Sequence, residues 1–358
     1  MAGGGGGGGR GAGAAQPVAL GRATAPVELT TVTDTEAVLH DGPRVVRVDG
    51  LRPGREQTVE GVTFRTLPRP RGQRLATVAT VSDLHIGETE CGRYEGVNLG
   101  PPLRAEPDEP PYPETMARAA AAEIAAAGPD AVLAKGDLTG QGAGAELATF
   151  LDIFEAPFGD RLHRTYGNHD VSSRSELCPE PVTELVSVAG ARIALLDTSL
   201  PGQVGGQLAE DQLAWLDDLG TDDSTPVLVF GHHPLFDHAS FTAGINAEDS
   251  DRLVELFTRR PALVGYFAGH THRNLVRRLP ATGDVPWAEV GATKDYPGVW
   301  AEYRIHEGSV MQVVHRISSP EALSWTDRTR AMFGGLYPSY AFGSLADRCF
   351  YVTGPGRS

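Results

Sequence analysis

The 358-residue chain predicts an α/β protein with a small all-β module ahead of it. Three observations carry that reading. From Leu75 onward, short apolar strands alternate with helical stretches, the pattern of layered α/β folds. Five short polar clusters fall at the carboxyl ends of five of those strands. Before Leu75, β-branched runs are broken by turn formers and no helical period appears. Apolar residues make up 41% and charged residues 22%, the balance of a folded globular chain. At roughly 150 residues per domain, the length allows two domains or one with appendages.

Residues 1–16 are Gly/Ala low complexity and are expected to form a disordered tail, since such a run buries nothing against its ordering entropy. Residues 17–72 read as the β module. Val27–Val32 and Arg44–Val48 are β-branched, Gly61–Thr66 alternates, and Asp41-Gly42, Asp49-Gly50 and Pro53-Gly54 supply turns. Pro68–Gly72 reads as a linker, and residues 73–316 as the α/β domain. Its expected strands are Leu75–Ser82, Asp130–Lys135, His163–Tyr166, a hairpin over Leu185–Leu196, Pro226–Phe230 and Ala262–Ala268. Late strands follow at Trp287–Val290, Val299–Ile305 and Ser309–Arg316. Helices are expected over Pro113–Ala127, ended by Gly128-Pro129, and over Ala143–Phe154, Gln207–Leu219 and Glu248–Arg259. Residues 317–358 form a C-terminal extension expected to pack on the core. Ser319-Pro320 starts a helix through Met332, and an aromatic, Gly-rich stretch follows.

Charge and cysteines narrow the classes. The formal charge of -15 argues against a broad basic face for nucleic acid. No apolar run approaches the roughly 18 residues of a membrane span. The N-terminal glycine tract lacks the basic patch and apolar stretch of a secretory signal. Cys91, Cys178 and Cys349 are too few and too scattered for a disulfide framework, and no CxxC supports a thiolate zinc site. A reducing, cytoplasmic setting fits. Lys135 and Lys294 are the two lysines among 31 basic residues.

The five clusters carry the chemistry. They are Asp83-Leu84-His85, Gly136-Asp137, Gly167-Asn168-His169-Asp170, Gly231-His232-His233-Pro234 and Gly269-His270-Thr271-His272, and they hold six of the eleven histidines. Loops at the carboxyl ends of strands are where open α/β sheets place ligands. Asp83 and His85, and likewise His270 and His272, are two apart, so an extended backbone would project each pair to one side. Seven O and N ligands are too many for one tetrahedral ion and suit two ions of the Mn, Fe, Co or Zn type. Two divalent cations outweigh the two aspartates, so an acidic protein can still present a positive pocket to a phosphate. Paired metals about 3.5–4 Å apart activate water and clamp phosphoryl oxygens.

These blocks, in this order over residues 76–305, resemble the calcineurin-like metallophosphoesterase superfamily. The resemblance implies a four-layer α/β/β/α sandwich, two sheets flanked by helices, with a dinuclear site at one edge. It implies that Asp83, His85 and His272 hold one metal, that Asn168, His232 and His270 hold the other, and that Asp137 bridges them. His169 would face the substrate as the catalytic group, with His233 just outside the ligand set. Gly140 stands where other branches carry a tyrosine ligand or the carboxylate partner of the catalytic histidine, so no orienting group for His169 is expected from the motifs. Asp-x-His, Gly-Asn-His-Asp and His-His-Pro are most similar to bacterial class III cyclic-nucleotide and glycerophosphodiester phosphodiesterases. The implied activity is hydrolysis of a small diester by a metal-bridging hydroxide, with Mn, Fe or Zn as cofactors. A phosphomonoesterase, a nuclease of the same superfamily and a metal-stabilised scaffold are the alternatives, and the resemblance is compatible with a homodimer. Leu51-Arg52-Pro53-Gly54 followed by Phe64-Arg65-Thr66 is similar to the end of a fibronectin-III-like domain.

Other polar residues near these blocks have plainer readings. Arg273 reads as a solvated arginine in preference to a phosphate contact, and Arg93 and Arg174 as surface residues. Cys91 and Cys178 read as structural thiols. The aperiodic stretch from Glu88 to Pro113 follows the first block directly and is a candidate wall of the substrate pocket.

Overall fold

The computed structural model describes residues 27–93, 100–177, 179–237 and 243–353. The Gly/Ala tail, Cys178 and His238 lie outside the described residues.

Five short strands come first: β1 (Glu28–Val32), β2 (Ala37–Asp41), β3 (Arg44–Val48), β4 (Glu56–Val59) and β5 (Val62–Arg65). They form an antiparallel three-stranded sheet and a separate hairpin. Val32, Ala37, Leu39 and Phe64 share a small buried cluster between them. The α/β domain follows in alternation: β6 (Arg74–Val81), α1 (Tyr112–Ala127), β7 (Ala131–Lys135), α2 (Gly144–Phe158), β8 (Leu162–Thr165), β9 (Thr183–Val188) and β10 (Ala191–Leu196). After these come α3 (Glu210–Leu219), β11 (Val227–Phe230), α4 (Ala247–Arg259), β12 (Leu263–Ala268), β13 (Leu275–Arg278) and β14 (Pro286–Glu289). The last elements are β15 (Val299–His306), β16 (Ser309–Arg316), α5 (Pro320–Thr329) and β17 (Cys349–Thr353).

Two six-stranded sheets result, ordered β17-β16-β15-β6-β7-β8 and β13-β14-β12-β11-β10-β9. The period of two along each strand sorts its side chains between layers. In β6, Val78 faces the partner sheet while Ala79 and Val81 face α1 and α2. In β11, Leu228 and Phe230 enter the space between the sheets while Val227 and Val229 pack on α3 and α4. Both sheets are therefore covered on both faces, which gives a four-layer α/β/β/α sandwich. Within it β6, β7 and β8 run parallel, as do β10, β11, β12 and β14. Their carboxyl ends carry the five polar clusters.

Helix boundaries follow local chemistry. Gly128 takes the left-handed φ of 63° that closes α1, and Ser319 caps α5 by accepting from the Ala322 N–H at 3.2 Å. The sequence reading placed no strand at Leu275–Arg278, where arginines resembled a solvated run. That segment is the edge strand β13, paired antiparallel with β14. Nor did it place one at Cys349–Thr353, which adds β17 to the edge of the first sheet.

Candidate metal centre

All seven residues expected to hold metal converge at one end of the sandwich. Asp83, His85 and His272 bring ligand atoms within 4.8 Å of one another, as do Asp83, Asp137 and His232. Asn168 Oδ1 lies 3.3 Å from His232 Nε2, and His270 Nδ1 lies 3.3 Å from the same nitrogen. Asp137 Oδ2 is 3.4 Å from His85 Nε2 and 3.4 Å from His232 Nε2, so one carboxylate oxygen faces an imidazole of each expected set.

The backbone that aims these side chains differs from the expectation. Asp83 and His85 do not project from an extended strand. Each takes a left-handed φ, 56° and 49°, as do Asp137 (50°), His270 (68°) and His272 (56°). Left-handed backbone at a non-glycine residue is strained and concentrates at functional sites. Here it turns successive side chains inward just past each strand end. Glycines admit the crowding. A Cβ at Gly136, whose φ is 89°, would lie 2.7 Å from His232 Nδ1, and one at Gly167 would lie 2.2 Å from Asp137 Oδ1.

Hydrogen bonds fix which nitrogen of His232 and of His272 is free. His232 Nδ1 donates to the Lys135 carbonyl at 2.9 Å, and His272 Nδ1 donates to Asp295 Oδ2 at 3.1 Å. Their Nε2 lone pairs therefore face acceptors, Asp137 Oδ2 at 3.4 Å and Asp83 Oδ1 at 3.6 Å. Both ring nitrogens of His85 and the Nε2 of His270 are buried without a hydrogen-bond partner among the described residues. Lone pairs facing lone pairs in a dry pocket are unfavourable unless a cation lies between them. The donor set, oxygen and imidazole nitrogen without sulfur, suits two borderline divalent ions.

The titration directions of His85 and His270 agree with that demand, and at His232 a proton takes the cation's place beside Asp137. Burial pushes His85 down to about 4, helped by the Lys294 ammonium, and burial with the nearby His232 charge pushes His270 down to about 3. Burial opposes charge on His232 too, but the Asp137 carboxylate lifts it to about 9. Burial alone would raise Asp137, yet the surrounding imidazoles hold it well below the usual range.

His169 stands beside this cluster. Its ring meets that of His85 at 4.3 Å between centroids. Its backbone N–H donates to Asp137 Oδ1 at 2.9 Å, and its Nδ1 donates to the Gly140 carbonyl at 2.9 Å. The orienting group that the motifs did not reveal is thus the main chain of Gly140 itself, leaving Nε2 directed away. His233 has both nitrogens engaged, by Thr198 at 2.9 Å and the Val204 carbonyl at 3.1 Å.

Sequence reasoning named Asp170 within its block but missed what it and the other buried groups behind these residues do. Asp170 accepts from the N–H groups of Leu138, Thr139 and Gly167 and from the Thr139 hydroxyl, at 2.6 to 3.1 Å, and so clamps two of the loops together. Burial and the Asp137 charge raise its carboxyl to about 6. Glu88 Oε2 lies 3.1 Å from His85 Nδ1, and Glu88 also takes a hydrogen bond from Tyr112 at 2.6 Å and an ion pair from Lys294. The two lysines of the chain are both buried against this site. Lys135 Nζ donates to the Ala268 carbonyl at 3.0 Å, and burial depresses it to about 8 against the pull of Asp83. Arg273 is neither solvated nor free for phosphate: its Nε donates to the buried Glu289 at 2.7 Å, and its guanidinium lies over Tyr340. Arg93 is exposed and paired with Glu90, and Arg174 is exposed.

Comparison with known proteins decides the family. A profile of the calcineurin-like phosphoesterases matches residues 76–274. The chain belongs to the calcineurin-like phosphoesterase family. It is 31% identical over 203 residues to a probable cyclic nucleotide phosphodiesterase of Synechococcus, covering 53% of this chain and 78% of that protein. It is 31% identical over 175 residues to a glycerophosphodiester phosphodiesterase of Enterobacter lignolyticus, covering 43% of this chain and 63% of that one. A dimetal phosphatase from Danio rerio shares the fold with a TM-score of 0.54 at 17% identity, over 68% of this chain and 98% of its own. As a calcineurin-like phosphoesterase the protein is a phosphoric ester hydrolase. Among the described residues no helix is long and apolar enough to cross a membrane.

Proposed function

We propose that this phosphoesterase is a dimetal phosphodiesterase acting on a small diester, a cyclic nucleotide or a glycerophosphodiester. The observation that carries the reading is Asp137 Oδ2, set 3.4 Å from His85 Nε2 and 3.4 Å from His232 Nε2. In this reading Asp83, His85 and His272 hold one ion, Asn168, His232 and His270 the other, and Asp137 serves both. Two Mn, Fe or Zn ions would supply Lewis acidity toward water and the phosphoryl oxygens.

The chain's own residues do the rest. With Nδ1 committed to the Gly140 carbonyl, His169 presents Nε2 to the substrate side and, when protonated there, hands a proton to the leaving alkoxide oxygen. Buried Asp137, Asp83 and the imidazoles exclude water from the side opposite the substrate. The names of the Synechococcus and Enterobacter relatives support a diester over a monoester, and the charge of -15 argues against a nucleic-acid substrate. The buried free thiols of Cys91 and Cys349 fit a cytoplasmic setting.

The test is a substrate panel on metal-reconstituted protein: 3′,5′-cyclic AMP, 3′,5′-cyclic GMP, glycerophosphocholine and the matching monoesters. Turnover of a diester above every monoester is expected. A monoester hydrolysed fastest would move the protein to the phosphatases.

A further inference from the structure

One loop, Thr293–Pro297, supplies the carboxylate behind His272 and the ammonium that pairs with the carboxylate behind His85. Asp295 Oδ2 accepts from His272 Nδ1 at 3.1 Å. Lys294, next to it, ion-pairs with Glu88, which also lies 3.1 Å from His85 Nδ1. The loop's main chain also reaches the first cluster, since the Thr293 N–H donates to the Ser82 carbonyl at 3.1 Å and the Lys294 N–H to the Asp83 carbonyl at 3.3 Å.

The loop is itself held by the two parts of the chain outside the five blocks. From the C-terminal extension, the Tyr337 hydroxyl donates to Asp295 Oδ1 at 2.6 Å, and Trp325 Nε1 donates to the Lys294 carbonyl at 2.7 Å. Thr329 Oγ1 accepts the Tyr296 N–H at 3.0 Å. From the β module, Glu28 on β1 accepts the Tyr296 hydroxyl at 2.6 Å. Glu28 also binds Arg316 at 2.9 Å and Arg330 at 2.8 Å, and the Arg330 guanidinium lies 4.3 Å above the Tyr296 ring. Tyr296 and Asp295 are adjacent, so the β module ends one residue from the carboxylate behind His272. Every group in this chain from Asp295 to Glu28 is buried or mostly buried. An isolated carboxylate there would be costly, whereas one that accepts from His272, Tyr337 and, at 3.8 Å, the Cys91 thiol is fixed in place.

We propose that Asp295 is a positioning residue for His272, and that Tyr337 and Glu28 act through it, so that the C-terminal extension and the β module jointly set one half of the metal centre. The proposal rests on the dimetal reading above. An outer partner of a ligating imidazole fixes its tautomer and raises its basicity. The β module then contributes to the hydrolase as a brace for the Thr293–Pro297 loop.

The test is a metal titration of the full chain, stripped with chelator and followed by calorimetry with Mn²⁺ and by the visible absorption of bound Co²⁺. Metal-free melting temperatures are measured in parallel. Asp295→Asn should weaken one of the two ions by about 10–100-fold and leave the other unchanged. Tyr337→Phe removes one hydroxyl and keeps the ring, and it should weaken the same ion by roughly fivefold, the worth of one hydrogen bond. Glu28→Gln should move that ion in the same direction by less. In Asp295→Asn and Tyr337→Phe the Co²⁺ spectrum of the affected site should change. Wild-type affinities for both ions in Asp295→Asn and Tyr337→Phe would overturn the proposal. So would an equal loss at both sites that tracks a lowered metal-free melting temperature. A wild-type protein that takes up fewer than two ions would instead overturn the dimetal reading, so the two failures are distinct.

Discussion

The two halves of the site present the same side chain, imidazole, against different backings. His85 and His272 have their Nδ1 atoms 3.1 Å from the carboxylates of Glu88 and Asp295. His232 leans on the neutral carbonyl of Lys135 at 2.9 Å, and His270 Nε2 has no hydrogen-bond partner among the described residues. Either acceptor orients the ring and raises its basicity, and a charged carboxylate does so more than a neutral carbonyl. Identical side chains in a motif can thus meet unequal surroundings, the inequality residing in Glu88, three residues from His85, and in Asp295, 23 residues from His272. Asp137 is the exception that belongs to both halves.

That shared residue gives the largest expected effect. Asp137→Ala removes the oxygen facing both halves, and turnover should fall by orders of magnitude in a steady-state assay at saturating metal. His169→Ala should lower kcat by about 10²–10⁴-fold while both ions still bind, because in the proposed mechanism His169 serves the leaving group and neither half. Loss of both ions in that variant would break the comparison.

Metal removal comes next. At free Mn²⁺ a hundredfold above its dissociation constant, binding should stabilise the fold by about 2.7 kcal/mol per site, seen as a higher melting temperature that chelator reverses. A melting temperature indifferent to metal would remove the cation from between the facing acceptors. Asp170→Asn should then cost about 1–3 kcal/mol, because an amide cannot accept from all the donors that now meet the carboxylate. Urea unfolding of the metal-free variant measures it, and it should affect both halves equally.

Glu302 lies outside both halves and gives the smallest effect on them. Burial would raise its carboxyl, but His315 at 2.8 Å and Arg304 at 3.0 Å hold it at about 2, below the ordinary 4.5. A depressed folded pKa contributes stability above the unfolded value that is lost as pH falls through the folded one. Glu302→Gln should therefore lower the melting temperature at pH 7 and do so less at pH 3, with both metal affinities unchanged.

The five blocks were legible because each is a short run at a strand end, and the residue types themselves declare the chemistry. The alternation that fixes the sandwich was legible for the same reason: a buried strand needs only local apolar residues. What escaped was non-local or carried by the backbone. Lys294 meets Glu88 across 206 positions, and Tyr337 meets Asp295 across 42. Nothing beside either residue in the sequence marks the pairing. Gly140 orients His169 with a carbonyl, which every residue possesses, so no side-chain pattern could reveal it. The left-handed turns at Asp83 and His85 were hidden because non-glycine residues seldom adopt them. Strand β13 was hidden because its Arg277 meets partners, Asp237 and Glu289, supplied by other segments.

The most direct test of the dimetal phosphodiesterase account is hydrolysis of bis(4-nitrophenyl) phosphate against 4-nitrophenyl phosphate by Mn²⁺-reconstituted protein, with chelator and Asp137→Ala as controls. The account predicts diester turnover well above monoester turnover, abolished by both controls. Diester turnover that survives chelation and the loss of Asp137 would contradict it.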